Sequence, residues 1–291
     1  MNRDRLKEIM LAQKEVFSEH QNLIERDVDL GRFIGSEQVV VITGVRRCGK
    51  SSLLYLIKQQ MQLQDEDFCY FNFDDERIMG DVAILEDIDH IHQEIYGKEA
   101  VLFLDEIQII NGWEKFVNRL YEQNRKIFVT GSNASLLSSE ISTSLTGRNK
   151  TIELAPFSFN EYCRYKRITF NLNRLSVKEK PILIRAFNDF IQKGGFPLVV
   201  KEDDLELLDA YFKDILYRDI IARHRITQVD ELKQIGVYFF ANVSKLFSYS
   251  TLQKITGIKS TNSVNKYLNY YSQSFLFYYL RKFDYSLKKQ I

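Results

Sequence analysis

One eight-residue segment constrains this chain more than any other part of its sequence: Gly-Val-Arg-Arg-Cys-Gly-Lys-Ser at positions 44–51. It follows an apolar run from Gln38 to Thr43 and precedes an amphipathic stretch from Ser51 to Gln62. The pattern G-x-x-x-x-G-K-[S/T] between a buried strand and a helix is typical of loops that bind phosphate through backbone N–H groups. The segment therefore predicts a binding site for a nucleoside triphosphate.

The residue types in this loop suit separate tasks. Gly44 and Gly49 permit the backbone angles that turn successive N–H groups inward, and the following helix adds the positive end of its dipole. Lys50 is expected to reach the β- and γ-phosphates, and Ser51 to ligate Mg²⁺. The expected cofactors are thus ATP and Mg²⁺. The residues predicted to line the nucleotide site are Gly44, Val45, Arg46, Arg47, Cys48, Gly49, Lys50, Ser51 and Ser52.

Composition indicates an ordinary globular chain. Its 291 residues allow about two domains of ~150 residues, and 45% of them are hydrophobic while 27% are charged. No apolar run approaches the ~20 residues that span a bilayer, and the charged N-terminus lacks the apolar core of a signal peptide. The three cysteines have no metal-ligand spacing, so neither a disulfide framework nor a zinc site is expected. The expected location is the cytoplasm, without a membrane partner.

The first half of the chain alternates short β-rich runs with helical stretches. Such alternation predicts an α/β fold in which a parallel sheet carries helices on both faces. Ligands of such sheets bind at the carboxyl ends of the strands. The predicted strands are Gln38–Thr43, Phe68–Phe73, Ala100–Leu104, Lys126–Thr130 and Thr151–Leu154, and the predicted helices are Ser51–Leu63, Val82–Tyr96, Trp113–Asn124 and Ala134–Ile141.

A second strand end carries two carboxylates. The run Ala-Val-Leu-Phe-Leu from Ala100 is followed directly by Asp105 and Glu106. In phosphate-loop enzymes an acid at this place holds Mg²⁺, which suits Asp105. Glu106 is then placed to orient and deprotonate the attacking water. The competing interpretation is a polar strand end that enters a loop, but the phosphate loop favours the catalytic one.

Two further positions have open interpretations. Ser132 and Asn133 follow the next strand and can either sense the γ-phosphate or cap the helix that begins at Ala134. Arg148 lies in a turn, where it can stabilise charge on the transferred phosphoryl group in cis or in trans. Its alternative is a surface arginine that pairs with acidic residues. Sequence spacing does not separate these alternatives.

Several segments together resemble one family. They are GVRRCGKSSLL, FNFDDERI, VLFLDEIQ, VTGSNASLL, LTGR, PFSFNEY and GGFP, in this order. They are similar to prokaryotic ATPases of the AAA+ superfamily whose core precedes a C-terminal domain of uncharacterised function, most specifically from Gly44 to Tyr162. The resemblance implies a Walker A segment at Gly44–Ser51, a Walker B segment at Asp105 and Glu106, a sensor at Ser132 or Asn133, and an arginine finger at Arg148.

The resemblance also implies a division of the chain. We expect an ATPase core with an N-terminal helix in residues 1–157, a helical lid in 158–208 and a winged-helix domain in 209–291. Members of this family usually continue into a nuclease-like segment. The sequence ends at Ile291 without such a segment, so no nuclease activity is expected of these residues.

The last third contains a helix-turn-helix pattern. A short helix from Ser250 is stopped by Gly257, a turn follows, and a second helix runs from Thr261 to Ser272 with Val264, Leu268 and Tyr271 on one face. The segment from Ser274 to Arg281 is expected to be a strand, as in the wing of a winged helix. The aromatic residues within that segment are expected to be core.

Charge makes duplex DNA a candidate partner of the same region. The net charge is −7 for residues 1–150, zero for 151–210 and +8 for 211–291. A basic region can bind nucleic acid, or it can pair with the acidic part of its own chain. Residues that can face a groove are Lys259, Asn262, Asn265, Lys266 and Asn269, and those that can contact phosphates are Arg281, Lys282, Lys288 and Lys289.

The expected function is therefore Mg²⁺-dependent ATP hydrolysis coupled to movement of the winged-helix domain, with homo-oligomerisation as a further candidate property. One alternative is a nucleotide-gated switch or scaffold with negligible turnover that binds a protein partner. A kinase acting on a small acceptor is the least favoured, because no acceptor pocket is evident in the sequence.

Overall fold

The computed structural model describes residues 2–19, 23–78, 82–132, 145–171, 174–280, 283 and 285. The chain divides into two compact units, Met1–Leu208 and Asp209–Ile291. All strands in the described part of the chain belong to the first unit. Among the described residues, no helix is both long and apolar enough to cross a bilayer.

Five strands form one parallel sheet in the order β2-β3-β4-β1-β5. Val41 of β1 lies opposite Val129 of β4 on one side and Thr151 of β5 on the other. This arrangement confirms the predicted α/β class, and each strand begins and ends within two residues of its prediction. The strands are β1 Val39–Thr43, β2 Phe68–Asn72, β3 Val101–Asp105, β4 Ile127–Gly131 and β5 Asn149–Glu153.

Helices connect and flank these strands. The helices are α1 Arg3–Ser18, α2 Leu30–Ile34, α3 Lys50–Gln60, α4 Ala83–Tyr96, α5 Trp113–Glu122, α6 Phe159–Tyr165, α7 Glu179–Lys193 and α8 Pro197–Glu202. Alternate residues of β1 to β4 join α1, α4 and α5 in one buried apolar cluster. The helix predicted at Ala134–Ile141 lies outside the described residues.

Helix α1 packs against β2, which is an edge strand of the sheet. Leu6 and Met10 join the cluster on one face of the sheet. Phe17 stacks on Tyr70 of β2, with 4.0 Å between the ring centroids. A helix that covers an edge strand protects its unpaired backbone groups from pairing with another chain.

The second unit is helical in its described residues. Its elements are α9 Glu206–Asp214, which starts in the first unit, a π-helical stretch Ile215–Ala222, α10 Val229–Ala241, α11 Tyr249–Thr256 and α12 Thr261–Gln273. Gly257 ends α11 with a φ of +72°, as predicted from its position. The Ser260 side chain accepts a hydrogen bond from the Ser263 N–H and thereby caps α12.

The predicted apolar face of the second helix is confirmed. Val264, Leu268 and Tyr271 are buried, and the Tyr271 hydroxyl donates to the Leu232 carbonyl of α10 at 2.7 Å. This bond satisfies a hydroxyl group that burial would otherwise leave without a partner. The two helices and their turn therefore pack as one body with α10.

The strand predicted from Ser274 to Arg281 is wrong over the residues that the structure describes. Residues 274–276 form a turn and a bend, 277–280 have irregular backbone, and Arg281 lies outside the described part. Phe277 instead packs on Phe239 and Phe240 of α10 and on Tyr271 of α12. The alternating aromatic residues thus reflect packing onto helices rather than pairing with another strand, so the described residues contain a helix pair without a β-wing.

Candidate functional site

The sheet order brings three strand ends together. Because all strands are parallel, the phosphate loop after β1, the acidic pair at the end of β3 and the polar residues at the end of β4 share one edge. Strand β4 lies between β1 and β3. Thr130, near its end, is therefore placed between the phosphate loop and the carboxylates.

The phosphate loop has the backbone of an anion nest. Positive φ angles occur at Gly44 (150°), Arg47 (70°) and Gly49 (101°), interspersed with ordinary ones. Such interspersion turns successive N–H groups toward one side of the loop. A side chain at position 44 would place its Cβ 2.1 Å from the Leu154 carbonyl oxygen, so the close approach of β5 requires glycine there.

Lys50 is the first residue of α3 and is buried. Its ammonium nitrogen lies 3.3 Å from Glu106 Oε1 and donates to the carbonyls of Gly44 and Val45 at 3.3 and 3.4 Å. Burial is the largest single influence and lowers the pKa of Lys50, but several nearby negative groups, Glu106 foremost, together outweigh burial, so the net direction is upward. Lys50 is therefore a charged group facing the interior of its own loop.

Three hydroxyl groups hold the Asp105 carboxylate. Ser51 donates to Oδ2 at 2.5 Å, Tyr70 donates to the same oxygen at 2.9 Å, and Thr130 donates to Oδ1. Burial raises the pKa of Asp105, and the charge of Glu106 raises it further, against the lowering effect of the hydroxyl groups. Burial also raises the pKa of Tyr70, so this hydroxyl remains a donor.

Glu106 occupies a left-handed backbone conformation with a φ of +54°. Its N–H donates to the Thr130 hydroxyl at 3.0 Å. Its Oε2 accepts from the Gln108 amide at 2.6 Å and from the Ser132 N–H at 3.2 Å. Burial is the largest single influence and raises the pKa of Glu106, but the charge of Lys50, the hydrogen bond from Gln108 and the charge of Arg46 together outweigh burial and lower the pKa overall. The carboxylate is thus ionised and held from three sides.

The remaining predicted loop residues flank this centre. Arg46 pairs with Asp74 at 3.0 Å, and Val45 is buried. Burial raises the pKa of the Cys48 thiol, which is fully buried, so it is not an exposed, oxidation-sensitive group. Ser52 lines a cavity described below.

The two predicted sensor residues have different outcomes. Ser132 is buried at the end of β4, and its N–H contacts Glu106. Asn133 lies outside the described residues. A sensing role for either residue stays a prediction.

Arg148 lies at the amino-terminal ends of the strands, opposite the carboxyl ends that form the candidate site. It directly precedes β5, whose first residue pairs with Val39 at the start of β1. The length of β1, about 16 Å at a parallel-strand rise of ~3.3 Å per residue, separates this position from the phosphate loop. Arg148 Nη1 contacts Glu122 Oε1 of α5 at 2.8 Å and also donates to Asn118. The site that the described residues form therefore does not include Arg148.

Sequence reasoning did not identify several contributors to the site. Tyr70 and Thr130 belong to strands in which every neighbour suggests core. Gln108 ends the VLFLDEIQ segment, whose pattern assigns a role only to Asp105 and Glu106. Each becomes visible only when the strand order places its polar atom beside Asp105 or Glu106.

A small apolar cavity adjoins the loop on another side. Its volume is about 50 Å³, and it contacts Gly49 and Ser52. The remaining wall is largely apolar and comes from the N-terminal segment, α3 and the region after β5: Leu23, Ile24, Arg26, Leu53, Leu56, Phe157 and Pro197. Helix α7 ends before Gly194, which has a φ of +73°, and Pro197 begins α8.

Comparison with known proteins supports part of the expected family. Residues 36–163 match the family described as "AAA domain", and residues 184–291 match the one described as "Domain of unknown function (DUF8612)". The first match contains the phosphate loop and both carboxylates. It supports a phosphate-loop domain of the AAA+ ATPase type, whereas the C-terminal family has no functional description.

Two relatives extend over most of the chain. An uncharacterized protein of Methanocaldococcus jannaschii is 36% identical over 293 residues, covering 97% of this chain and 64% of that protein. An uncharacterized protein of Haemophilus influenzae is 32% identical over 267 residues, covering 87% of this chain and 64% of that protein. The chain thus spans less than two thirds of the length of these curated relatives. Among solved structures, the S. cerevisiae Hsp104–ADP complex aligns with a TM-score of 0.46 at 13% identity, covering 91% of this chain and 40% of that one.

Proposed function

We propose that the chain binds ATP with Mg²⁺ at the carboxyl edge of its sheet and hydrolyses it. One observation carries this proposal. Two strands deliver a lysine, a hydroxyl and two carboxylates to one place, with Ser51 2.5 Å from Asp105 and Lys50 3.3 Å from Glu106. These groups have the chemistry that phosphoryl transfer to water requires: phosphate binding, metal binding and proton acceptance.

The residues at the proposed metal position suit Mg²⁺. Ser51 and Asp105 present hard oxygen atoms, which Mg²⁺ prefers. Among the described residues, no group of three or more His, Cys, Asp and Glu side chains could hold a metal ion. Mg²⁺ usually takes few protein ligands and completes its shell with water and substrate phosphates. When bound, it would neutralise charge that develops on the phosphate oxygens.

The pairing of Lys50 with Glu106 suggests how binding prepares the base. Triphosphate oxygens compete with Glu106 for the Lys50 ammonium. As Lys50 turns to the phosphates, Glu106 loses the charge that lowers its pKa, while burial continues to raise it. Glu106 then becomes a stronger proton acceptor, and Gln108 and the Ser132 N–H keep its carboxylate oriented. Water attacks the γ-phosphorus and transfers its proton to Glu106, and ADP leaves.

The apolar cavity beside Gly49 supports the choice of a nucleoside triphosphate over a simple polyphosphate. An aromatic base needs an apolar pocket close to the phosphate site. Ile24, Phe157 and Pro197 provide such walls next to the loop. We assign the base to this cavity and the phosphates to the nest.

Steady-state phosphate release tests the proposal. We expect wild type to release phosphate from ATP in the presence of Mg²⁺. Glu106→Gln should keep ATP affinity but lose about 10²–10⁴ in rate, because the amide keeps the shape and cannot accept the proton. Glu99→Gln, an exposed carboxylate before β3, is the matched control and should have the wild-type rate. Equal rates for Glu106→Gln and wild type would exclude Glu106 as the base.

A nucleotide-gated switch with negligible turnover is the second candidate. The observation that favours it is the position of Glu106, which is engaged by Lys50, Gln108 and Ser132 rather than free to accept a proton. In a switch, ATP would hold one conformation of residues 158–208 as a lid and of 209–291 as the responding domain. ATP binding without phosphate release by wild type would favour this candidate.

Duplex DNA remains the proposed macromolecular partner of residues 209–291, with a protein partner as the alternative. On α12, Asn262, Asn265, Lys266 and Asn269 are exposed on the side away from its buried face. Such a face can contact a groove or its phosphates.

We also propose that the chain forms homo-oligomers, because Arg148 could then act on the site of a neighbouring copy.

A further inference from the structure

A buried arginine links the phosphate loop to two other segments. Arg26 lies in the segment between α1 and α2 and is only 7% exposed. Its guanidinium donates to the Cys48 carbonyl at 3.1 Å, to the Ala155 carbonyl at 2.7 Å, and to both carboxylate oxygens of Glu161 at 2.8 and 3.3 Å. It thus joins segments more than a hundred residues apart in sequence.

Glu161 fixes the orientation of this arginine. It is 3% exposed, and besides Arg26 its oxygens accept the backbone N–H of Asp27 at 2.7 Å and of Ser158 at 2.8 Å. A bidentate arginine–carboxylate pair whose remaining lone pairs are satisfied has little rotational freedom. The direction from which Arg26 approaches the phosphate loop is therefore set by its partner.

The hydrogen bond from Arg26 to the Cys48 carbonyl also affects the Gly49 N–H, which belongs to the same peptide group. The peptide between Cys48 and Gly49 is trans, so the Cys48 carbonyl and the Gly49 N–H point in opposite directions. Arg26 holds the carbonyl toward itself, and this directs the Gly49 N–H away from Arg26. Gly49, with a φ of +101°, has few steric limits of its own, so an external contact is needed to select one orientation.

We propose that Arg26 is a positioning residue for phosphate binding: it orients the Cys48–Gly49 peptide so that the Gly49 N–H joins the anion nest. This inference rests on the proposed function, because it names a group that prepares the same site. Arg26 acts through the loop backbone and contacts no reacting atom. Lysine is not an equivalent substitute, since it lacks the planar fork that reaches Glu161 and a carbonyl together.

A second buried arginine offers a matched control. Arg125 is 6% exposed, pairs with both oxygens of Asp89 at 2.8 and 3.2 Å, and donates to the Ala100 carbonyl at 3.0 Å. It has the same chemistry as Arg26 in the same unit but contacts no residue of the phosphate loop. Arg125→Lys therefore reports the general cost of weakening a buried arginine pair.

The test compares binding of inorganic tripolyphosphate and of ATP, each with Mg²⁺, by isothermal titration calorimetry. Tripolyphosphate isolates the nest from the apolar cavity, which Arg26 also lines. We expect Arg26→Lys to weaken binding of both ligands about tenfold. Arg125→Lys should lower the Tm about as much as Arg26→Lys does, but it should bind both ligands as wild type does. Glu161→Gln, which keeps Arg26 but loosens it, should weaken tripolyphosphate about threefold.

Each outcome supports or overturns the inference. Tripolyphosphate affinity unchanged in Arg26→Lys, or weakened equally in Arg125→Lys, would overturn it. Loss of ATP affinity alone would assign Arg26 to the cavity instead of the nest. If Arg26→Lys does not fold, Glu161→Gln decides, and unchanged affinity there overturns the inference. Failure of wild type to bind either ligand would instead contradict the proposed function itself.

Discussion

The carboxyl edge of the sheet and the exposed face of α12 both carry clusters of polar side chains, but the clusters differ in how they are held. At the sheet edge, Asp105 is buried and Glu106 is largely buried, and each accepts hydrogen bonds from several groups. On α12, Asn265 and Lys266 are exposed and follow from helical spacing alone.

This difference determines how strongly each region indicates a function. Burying charged groups costs free energy unless partners compensate, so an interlocked set of buried charges requires an explanation, and a ligand site provides one. An exposed polar helix face costs nothing and is what any soluble helix presents. Variants at the sheet edge should therefore have larger effects than variants at the α12 face.

The largest effect on ATP affinity is expected for Lys50→Ala. The variant loses the charge that binds the triphosphate, so we expect the Kd for ATP to rise at least about a hundredfold, as for removal of one member of a buried charge pair. Lys58→Ala, on the same helix α3, is the control and should bind ATP as wild type does. Titration calorimetry measures both, and equal affinity of Lys50→Ala and wild type would refute the site.

The same variant should respond differently to pH. The lowered pKa of Glu106 stabilises wild type above the unfolded carboxyl pKa, and this contribution is lost as pH falls through the folded pKa. Without Lys50, burial raises the pKa of Glu106, so the fold loses stability as pH rises. Urea unfolding at pH 4 and pH 7 should therefore show a larger gap between wild type and Lys50→Ala at pH 7. An equal gap at both pH values would mean that Lys50 does not set the charge of Glu106.

Arg148→Ala tests whether a residue outside the described site completes it. If Arg148 acts on the site of a neighbouring copy, its loss should lower turnover by about 10³-fold with little change in ATP affinity, and the specific activity of wild type should rise with protein concentration. Arg119→Ala serves as the control, because it removes another exposed ion pair of α5, the one between Arg119 and Glu86. A rate independent of concentration, from a chain that is always monomeric, would make Arg148 a structural residue that pairs with Glu122.

The sequence predicted the parts of the site that follow from strand order. A phosphate loop after one strand and two acids after another must share an edge in a parallel sheet, so Lys50, Ser51, Asp105 and Glu106 were identified correctly as neighbours. The side chains that position them were missed. Tyr70 lies within an apolar strand, and its position in the sequence does not reveal which atom accepts a hydrogen bond from its hydroxyl.

The same limit explains Arg26 and the incorrect strand. Arg26 lies in a segment without periodicity, and its partners are defined only by the folded chain. The aromatic residues between Ser274 and Leu280 have the alternation of a strand, but helices α10 and α12 bury several of them. The local sequence pattern indicates which side chains need burial, but it does not indicate which elements of the fold bury them.

Tyr70→Phe should have a moderate effect. Removal of its hydroxyl leaves Asp105 with two donors instead of three, so we expect the Mg²⁺ concentration for half-maximal turnover to rise about tenfold. Tyr55→Phe also removes a hydroxyl from a ring that packs on Phe17, but this hydroxyl donates to the Ser18 carbonyl and not to Asp105. Phosphate release over a Mg²⁺ titration measures both variants. Identical curves for the two would show that Tyr70 does not act through Asp105.

The smallest effect is expected at the α12 face. If this face binds duplex DNA, binding should weaken with salt by a log–log slope of about −0.9 per phosphate contacted. Lys259→Glu with Lys266→Glu should then weaken it more than Lys7→Glu with Lys115→Glu, two exposed lysines of the first unit. We expect weak, sequence-independent binding, because no arginine occurs between Thr251 and Leu280 to read guanine.

Fluorescence anisotropy at low salt with ATP present measures this binding. If wild type shows none at about 50 µM protein, which lies within the usual range of non-specific affinity, the face is better assigned to a protein partner. Equal loss in both pairs of variants would indicate a general charge effect. Either result would leave the proposal for the sheet edge unchanged.

Because Glu106 has a left-handed backbone conformation, selection for stability and selection for activity favour different residues at this position. A residue with a side chain loses roughly 1 kcal/mol in this conformation, which glycine adopts freely and asparagine tolerates. Mutation and selection for folding alone would therefore drive position 106 toward glycine or asparagine, and the chain would become a more stable protein without its base. Persistence of glutamate at this position among descendants of the chain would therefore indicate, independently of any assay, selection for the proposed hydrolysis.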